Sequence, residues 1–331
     1  MTTRRKILLT LGAAAIAIPA RAFAQQPGKI WRIGYFDLGT RQSIVSSGRY
    51  SALIQGLREQ GFVEGKNLVL LERFADGKAD RLNELAADLV RQKPDLILST
   101  GTPTSQALQR ATSSIPIVVT VTTDPVIDGF AASLARPGGN LTGMSTGGNE
   151  TVQKLVEFLI AAAPKISRIA ILNNPKNTNQ TAMLASVRAA AQQLKRQVLP
   201  VAASTANEVE SAFTTMTRER ADGVIILIDA FFTLQRAQIG ALALKHRLPS
   251  IYGFQTYAEA GGLMSYGADT NDNFRRAGIF VDKILNKGAK PGELPFEQPT
   301  RYYLVINRKT AKSLGIQLSQ ILLLQADKLI E

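Results

Sequence analysis

The stretch Pro94-Asp95-Leu96-Ile97-Leu98-Ser99-Thr100-Gly101-Thr102-Pro103, followed by Ile117-Val118-Val119-Thr120-Val121-Thr122-Thr123-Asp124-Pro125, decides the fold. Each half is a short apolar run that ends in hydroxyl, glycine and acidic residues. Runs of this length, bounded by proline and glycine, read as strands buried on both faces, as in a parallel sheet. Ser99–Thr102 then leads into a helix, with Thr102 expected as N-cap and Pro103 at the first helical position, where its missing N–H costs nothing. In an open parallel sheet, ligands collect beyond the carboxyl ends of the strands. The clusters Ser99–Ser105 and Thr122–Asp128 are therefore expected on one rim. There they would offer hydroxyls and helix-start amides to a small polar molecule.

Outward from this stretch the same alternation recurs. Upstream, the strand Ile30–Phe36 ends at Asp37-Leu38-Gly39-Thr40. The helix Tyr50–Glu59 carries Leu53, Ile54 and Leu57 on one face and closes at Gly61. The strand Leu68–Phe74 follows, then a helix marked by Leu82, Leu85, Ala86, Leu89 and Val90. Downstream, Leu141–Met144 is a short strand at a first crossing, after which the pattern restarts. Val152–Ala163 is a helix; the strand Arg168–Leu172 ends in Asn173-Asn174-Pro175; a helix runs from Asn177 or Thr178 to about Leu194. Gln197–Val201, the helix Val209–Arg218 and the strand Val224–Ile228, ending in Asp229-Ala230-Phe231-Phe232, continue it. Leu234–His246 is a helix, and Ser250–Tyr252 runs into Gly253–Tyr257. Gly261–Gly267 reads as a second crossing and Asn273–Asn286 as a helix back on the first half. The proline- and glycine-rich Gly288–Pro299 is a third connection. Tyr302–Ile306 is a strand, and Lys309–Leu314 and Ile321–Ile330 are terminal helices.

Such alternation implies parallel sheets with right-handed crossovers. The expected class is α/β, with two doubly wound parallel-sheet lobes. Residues 25–145 plus 262–290 are assigned to the first lobe and 146–261 plus 291–331 to the second. A chain of 331 residues is long enough for two such cores.

The strand ends supply the candidate ligand residues. Asp37, Asp124 and Asp229 each close a strand and could receive amino or hydroxyl groups, with Gly39 and Thr40 beside the first. The plain alternative for each acid is a cap or turn; convergence of three on one crevice favours the ligand role. Asp229 ranks first because Phe231 and Phe232 follow it in an exposed-looking loop. Thr100, Gly101, Thr102 and Thr122 combine hydroxyls with a helix start, and Asn174, Asn177 and Thr178 repeat that geometry on the other lobe. Phe232, Phe254 and Tyr257 could cover a ring or an aliphatic chain, or pack in the hinge. Trp31 starts its strand, away from the crevice, and His246 lies at a helix end, where it suits the dipole.

Composition narrows the function. The chain has no cysteine and one histidine, His246, which removes disulfides, thiolate metal sites, cysteine nucleophiles and histidine-based triads. Dinucleotide, Walker and nucleophile-elbow motifs are missing, so no cofactor and no metal is expected. Arg4-Arg5-Lys6, an apolar stretch to Ala20 and Ala22-Phe23-Ala24 make a secretory signal peptide, residues 1–24, cleaved after Ala24. The Arg4-Arg5 pair also suits the twin-arginine route. Without a lipobox cysteine the exported form would be periplasmic and unanchored. The formal charge of +13 falls to +9 once the four signal cations are removed. The remaining basic residues are scattered without stacking aromatics, which argues against nucleic acid.

Several segments carry a family resemblance: "SLARPGGNLTG" (Ser133–Gly143), "AGGLMSYGAD" (Ala260–Asp269), "VDKIL" (Val281–Leu285) and "LPFEQPTRYYLVINRKTAKSLG" (Leu294–Gly315). Together with the "IPIV" and "DPV" runs near Ile117 and Pro125, they make the chain similar to ABC transporter solute-binding proteins related to tryptophan- and tyrosine-binding proteins. The resemblance implies the type I periplasmic binding-protein fold, with lobes joined by a three-segment hinge. It also implies capture of a small solute such as an amino acid and delivery to an ABC permease at the inner membrane. Such a protein acts as a monomer and carries out no covalent chemistry. An exported α/β enzyme and a ligand sensor presenting to a membrane receptor are the rival readings.

Overall fold

The computed structural model describes residues 29–331, so the expected signal peptide and its cleavage site lie outside the described residues. Strand β1 (Trp31–Asp37) is followed by the helices α1 (Arg41–Ser46) and α2 (Arg49–Glu59). Next come β2 (Leu68–Phe74), α3 (Leu82–Arg91), β3 (Leu96–Thr100), α4 (Thr102–Ala111), β4 (Ile117–Thr122) and β5 (Leu141–Ser145). These strands form one five-stranded parallel sheet in the order β2-β1-β3-β4-β5. Alternate residues of its central strands feed two cores, as the period of two requires. Ile33, Tyr35, Leu96, Leu98 and Val118 face one side, while Phe36, Ile97, Ile117 and Val119 face the other.

The second half runs α5 (Gly148–Ala162), β6 (Arg168–Asn173), α6 (Asn179–Gln193), β7 (Gln197–Ala202), α7 (Ala206–Arg218) and β8 (Gly223–Ile226). The chain continues with α8 (Ala230–Leu234), α9 (Arg236–Lys245), β9 (Ser250–Tyr252), α10 (Gln255–Glu259), β10 (Met264–Gly267) and α11 (Thr270–Leu285). It ends with β11 (Tyr303–Asn307), α12 (Arg308–Leu314), α13 (Gln320–Gln325) and β12 (Lys328–Ile330). The second sheet has seven strands in the order β12-β11-β10-β9-β8-β6-β7. One pairing breaks the parallel pattern: β11 runs antiparallel to β10. Among the described residues no helix is long and apolar enough to cross a membrane.

Three expectations about boundaries need correction. Leu263–Gly267 is not a crossing, because β10 pairs with both β9 and β11 inside the second sheet; the chain returns at Ala268-Asp269. It is α11 that rejoins the first half, packing on α2 through Gly56 and Gly278, where an added Cβ would strike the partner helix's backbone. Residues 291–297 also stay with the first half. Thr142 Oγ1 donates to the Leu294 carbonyl (2.8 Å), and Glu297 exchanges backbone hydrogen bonds with Gly143 (2.9 Å) and Ser145 (2.8 Å). The proline-rich segment thus covers the open edge of β5, which an exposed edge strand needs. Third, the terminal helix stops at Gln325, and Lys328–Ile330 instead adds a parallel strand beside β11. The chain passes between the halves at 146–147, 268–269 and 298–302.

Candidate ligand-binding site

The carboxyl ends of β1, β3 and β4 face those of β8 and β9 across a cavity. It is lined from the first lobe by Asp37, Gly39, Thr100, Gly101, Thr102 and Thr122, and from the second by Asn177, Asp229 and Phe254. Its apolar wall is Leu38, Ile44, Pro103, Val121, Ile228, Leu234 and Phe254.

Asp37 lies at the end of β1. It accepts hydrogen bonds from the Gly39 N–H (2.6 Å) and the Tyr35 hydroxyl (3.0 Å), and that hydroxyl also meets Thr100 Oγ1 at 3.3 Å. Burial pushes its carboxyl above the ordinary range, against the opposing pull of the Gly39 N–H and the Arg49 charge. Asp229 is the N-cap of α8: it accepts from the Phe232 N–H (3.1 Å) and from Asn174 Nδ2 (3.2 Å) and Asn177 Nδ2 (2.9 Å). The expected cap is thus present, on a side chain that also lines the cavity and is 4% exposed.

The N-cap of α4 is Gly101, one residue earlier than expected, at φ +87° and with no side-chain cap. The Thr102 hydroxyl is drawn away to Asp128 (2.9 Å). First-turn N–H groups at such a start need a partner from outside the helix.

Several expected residues stand elsewhere. Thr40 is exposed and caps α1, accepting from the Ser43 N–H (3.1 Å). Asp124 fixes a turn by accepting from the Val126 (2.9 Å) and Ile127 (3.1 Å) N–H groups. Phe232 is not in a loop: α8 carries it into the core, where it is fully buried. Tyr257 is also core, stacked on Tyr252 at 4.7 Å between ring centroids. Asn174 and Thr178 stand behind the wall, the first holding Asp229 and the second reaching Asp128 Oδ1 at 3.4 Å.

Two cavity side chains escape the sequence reading. Arg49 and Arg236 both line the cavity, one from each half. Each is the first residue of its helix, α2 and α9, where a cation opposes the dipole. That misplaced charge is the sequence signal that could have found them. Among the described residues neither arginine is in an ion pair. Burial lowers the Arg49 pKa, with the nearby Asp37 charge working against it. Asp128, the last residue of the cluster expected on the rim but not singled out as a ligand residue, lies on the loop between β4 and β5. Its Oδ2 accepts from Thr102 and Thr122 (2.6 Å) on its own lobe, and its Oδ1 accepts from Asn179 Nδ2 (2.6 Å) across the cleft. Burial raises its carboxyl pKa as well, with the Thr122, Thr102, Asn179 and Thr178 donors holding it down in part.

Two α/β sheets that face each other across a cavity with both polar and apolar walls, with the chain crossing three times between them, have the type I periplasmic binding-protein fold. The chain belongs to the ABC transporter substrate binding protein family, whose pattern it matches over residues 46–330. It is 27% identical over 264 residues to a tyrosine-binding protein of Clostridioides difficile (strain R20291), covering 80% of this chain and 75% of that protein. Among solved structures, it is similar to an ABC domain in complex with L-Trp from Streptococcus pneumoniae. The TM-score is 0.84 and identity 26%, over 91% of this chain and 99% of that one. A conserved domain protein of Vibrio cholerae matches equally well, at TM-score 0.84 and 28% identity, over 91% and 100% of the two chains.

Proposed function

We propose that the protein is exported to the periplasm and captures a zwitterionic amino acid between its lobes. It then delivers that solute, as a monomer, to an ABC permease at the inner membrane. One lobe would comprise 29–145 with 268–297, the other 148–267 with 303–331. The observation that carries the reading is the cavity lining: two carboxylates, Asp37 and Asp229, and two guanidiniums, Arg49 and Arg236, without an ion pair among them. Such a lining is neutral overall and complements a molecule that bears one charge of each sign. Asp37 and Asp229 would receive the ammonium group, and the start of α4 at Gly101–Thr102 would add N–H donors. Phe254 and Leu234 would cover an apolar side chain. The tyrosine-binding relative and the neighbour in complex with L-Trp make an aromatic amino acid the first candidate.

The test is a thermal-shift screen of L-amino acids, sugars and amines on the mature protein, with mass spectrometry of any solute that co-purifies. A ligand at 100 times its dissociation constant stabilises the native state by about 2.7 kcal/mol. At about 2.1 cal/mol/K per residue, that is a melting shift of about 4 °C if both lobes unfold together. An L-amino acid should give that shift. A shift from sugars or uncharged amides, with none from amino acids, refutes the substrate class.

A further inference from the structure

Arg49 and Arg236 are the cavity's least expected residues. Each begins a helix that has no acidic residue in its first turn, so each guanidinium adds to the positive pole of its own dipole. Arg49 Nε is buried without a hydrogen-bond partner. Among the described residues the Arg236 side chain makes one hydrogen bond, to the Thr233 carbonyl (3.0 Å), within its own lobe. The two belong to opposite lobes yet line one cavity; burial is the main cause that lowers the Arg49 pKa, Asp37 opposes it, and the Arg236 charge adds a smaller depression. Like charges from two bodies meeting in a partly desolvated space repel. Leaving a buried cation unpaired is costly. Arginine's planar fork is suited to a carboxylate, which it can hold by two parallel N–H···O bonds.

We infer that Arg49 and Arg236 form a clasp for the carboxylate of the solute, one guanidinium from each lobe, so that the site admits α-carboxylates and rejects their amides and amines. This rests on the amino-acid reading above and assigns one end of that ligand. The clasp separates the two poles of the zwitterion. Its carboxylate lies between the arginines, and its ammonium lies toward Asp37 and Asp229. The bound anion also cancels the repulsion between lobes, so an acid favours the closed arrangement where an amide does not.

The experiment is titration calorimetry of the mature protein with L-tryptophan and L-tyrosine and with the α-amide of each. The acid should bind on the order of 100-fold more tightly than its amide, the range of lost charge-assisted hydrogen bonds. In Arg49→Gln and in Arg236→Gln that preference should collapse toward unity, while Arg49→Lys keeps part of it. The melting temperature of each unliganded variant reports that it is folded; relief of the repulsion should leave it unchanged or raise it. Equal binding of acid and amide by the unaltered protein overturns the clasp and leaves the solute-binding reading standing. Failure of acid and amide alike to bind overturns both the aromatic amino-acid reading and the clasp assigned on it.

Discussion

Replacing Asp128 by alanine should open the closed form, because that carboxylate is tied to both lobes. Two of its donors, Thr102 and Thr122, belong to the first lobe, and two, Thr178 and Asn179, to the second. The Asn179 bond at 2.6 Å is short and charge-assisted; the Thr178 contact at 3.4 Å is near the limit and adds little. A hydrogen bond to a charged group contributes about 1.5–3 kcal/mol. Water replaces Asn179 when the lobes part, so the net contribution to closure lies at the lower end, about 1.5–2 kcal/mol. That converts to roughly 10–30-fold in the closed-to-open ratio, at about 1.4 kcal/mol per tenfold. A solute gripped by both lobes loses affinity by the same factor when the free protein is mostly open. Calorimetry on the wild type, Asp128→Ala, Asn179→Ala and the double variant reads this directly. The expected coupling between the two sites is about 1 kcal/mol or more. A dissociation constant within twofold of wild type in Asp128→Ala, together with additive effects in the double variant, would refute the latch.

Two further outcomes follow from burial and packing. Burial raises the carboxyl pKa of both Asp37 and Asp128, so the native protein holds these protons more tightly than the unfolded chain, where aspartate titrates near about 4. Their contribution to stability is greatest below that ordinary range, declines as pH rises through the raised values, and is level above them. Asp37→Asn should remove its share of this decline, so the melting difference between variant and wild type should grow in the variant's favour from pH 4 to pH 7; a difference independent of pH contradicts it. At the contact of α2 with α11, an alanine at Gly278 would press its Cβ on the Gly56 and Leu57 backbone. Gly278→Ala should therefore force the helices apart and cost about 1–3 kcal/mol, the usual range of overpacking. An unchanged thermal melting temperature would mean that the helices have room the structure does not show.

The alternation of strands and helices was legible because strands buried on both faces appear as short apolar runs, and Leu96–Leu98 and Ile117–Val119 do. Strand ends pointed to the cavity for the same reason: Asp37, Thr100, Thr122 and Asp229 follow the apolar runs at once. What remained hidden depends on contacts between distant residues. Asp128 is legible only as the end of the rim cluster Thr122–Asp128, because its bond to Asn179 spans 51 positions. Phe231-Phe232 looked exposed beside a polar strand end, but a five-residue helix turns Phe232 inward while Phe231 stays half-buried. Lys328–Ile330 is too short to show a period, and its pairing with β11 is set by the tertiary fold. The β10 boundary was misplaced because an apolar run before glycine looks alike whether it crosses between sheets or fills a place inside one.

The latch and the clasp act on closure with opposite signs, and their combination explains why both are built from buried charge. Asp128 attracts Asn179 whether or not a solute is present, so it alone would shut an empty protein. Arg49 and Arg236 repel each other until an anion lies between them, so in an empty protein they offset part of the latch, while Asp37 pulls on Arg49 the other way. Hydrophobic burial could close the lobes as firmly, but it could not tell a filled cavity from an empty one. A charge pair of like sign can, because a carboxylate that enters between the two attracts both and outweighs their repulsion. The free energy that distinguishes the two states then comes from the ligand itself, as any ligand-driven shift requires. On this argument the arginines sit at the unfavourable ends of their helices because local stability is exchanged there for dependence on the solute.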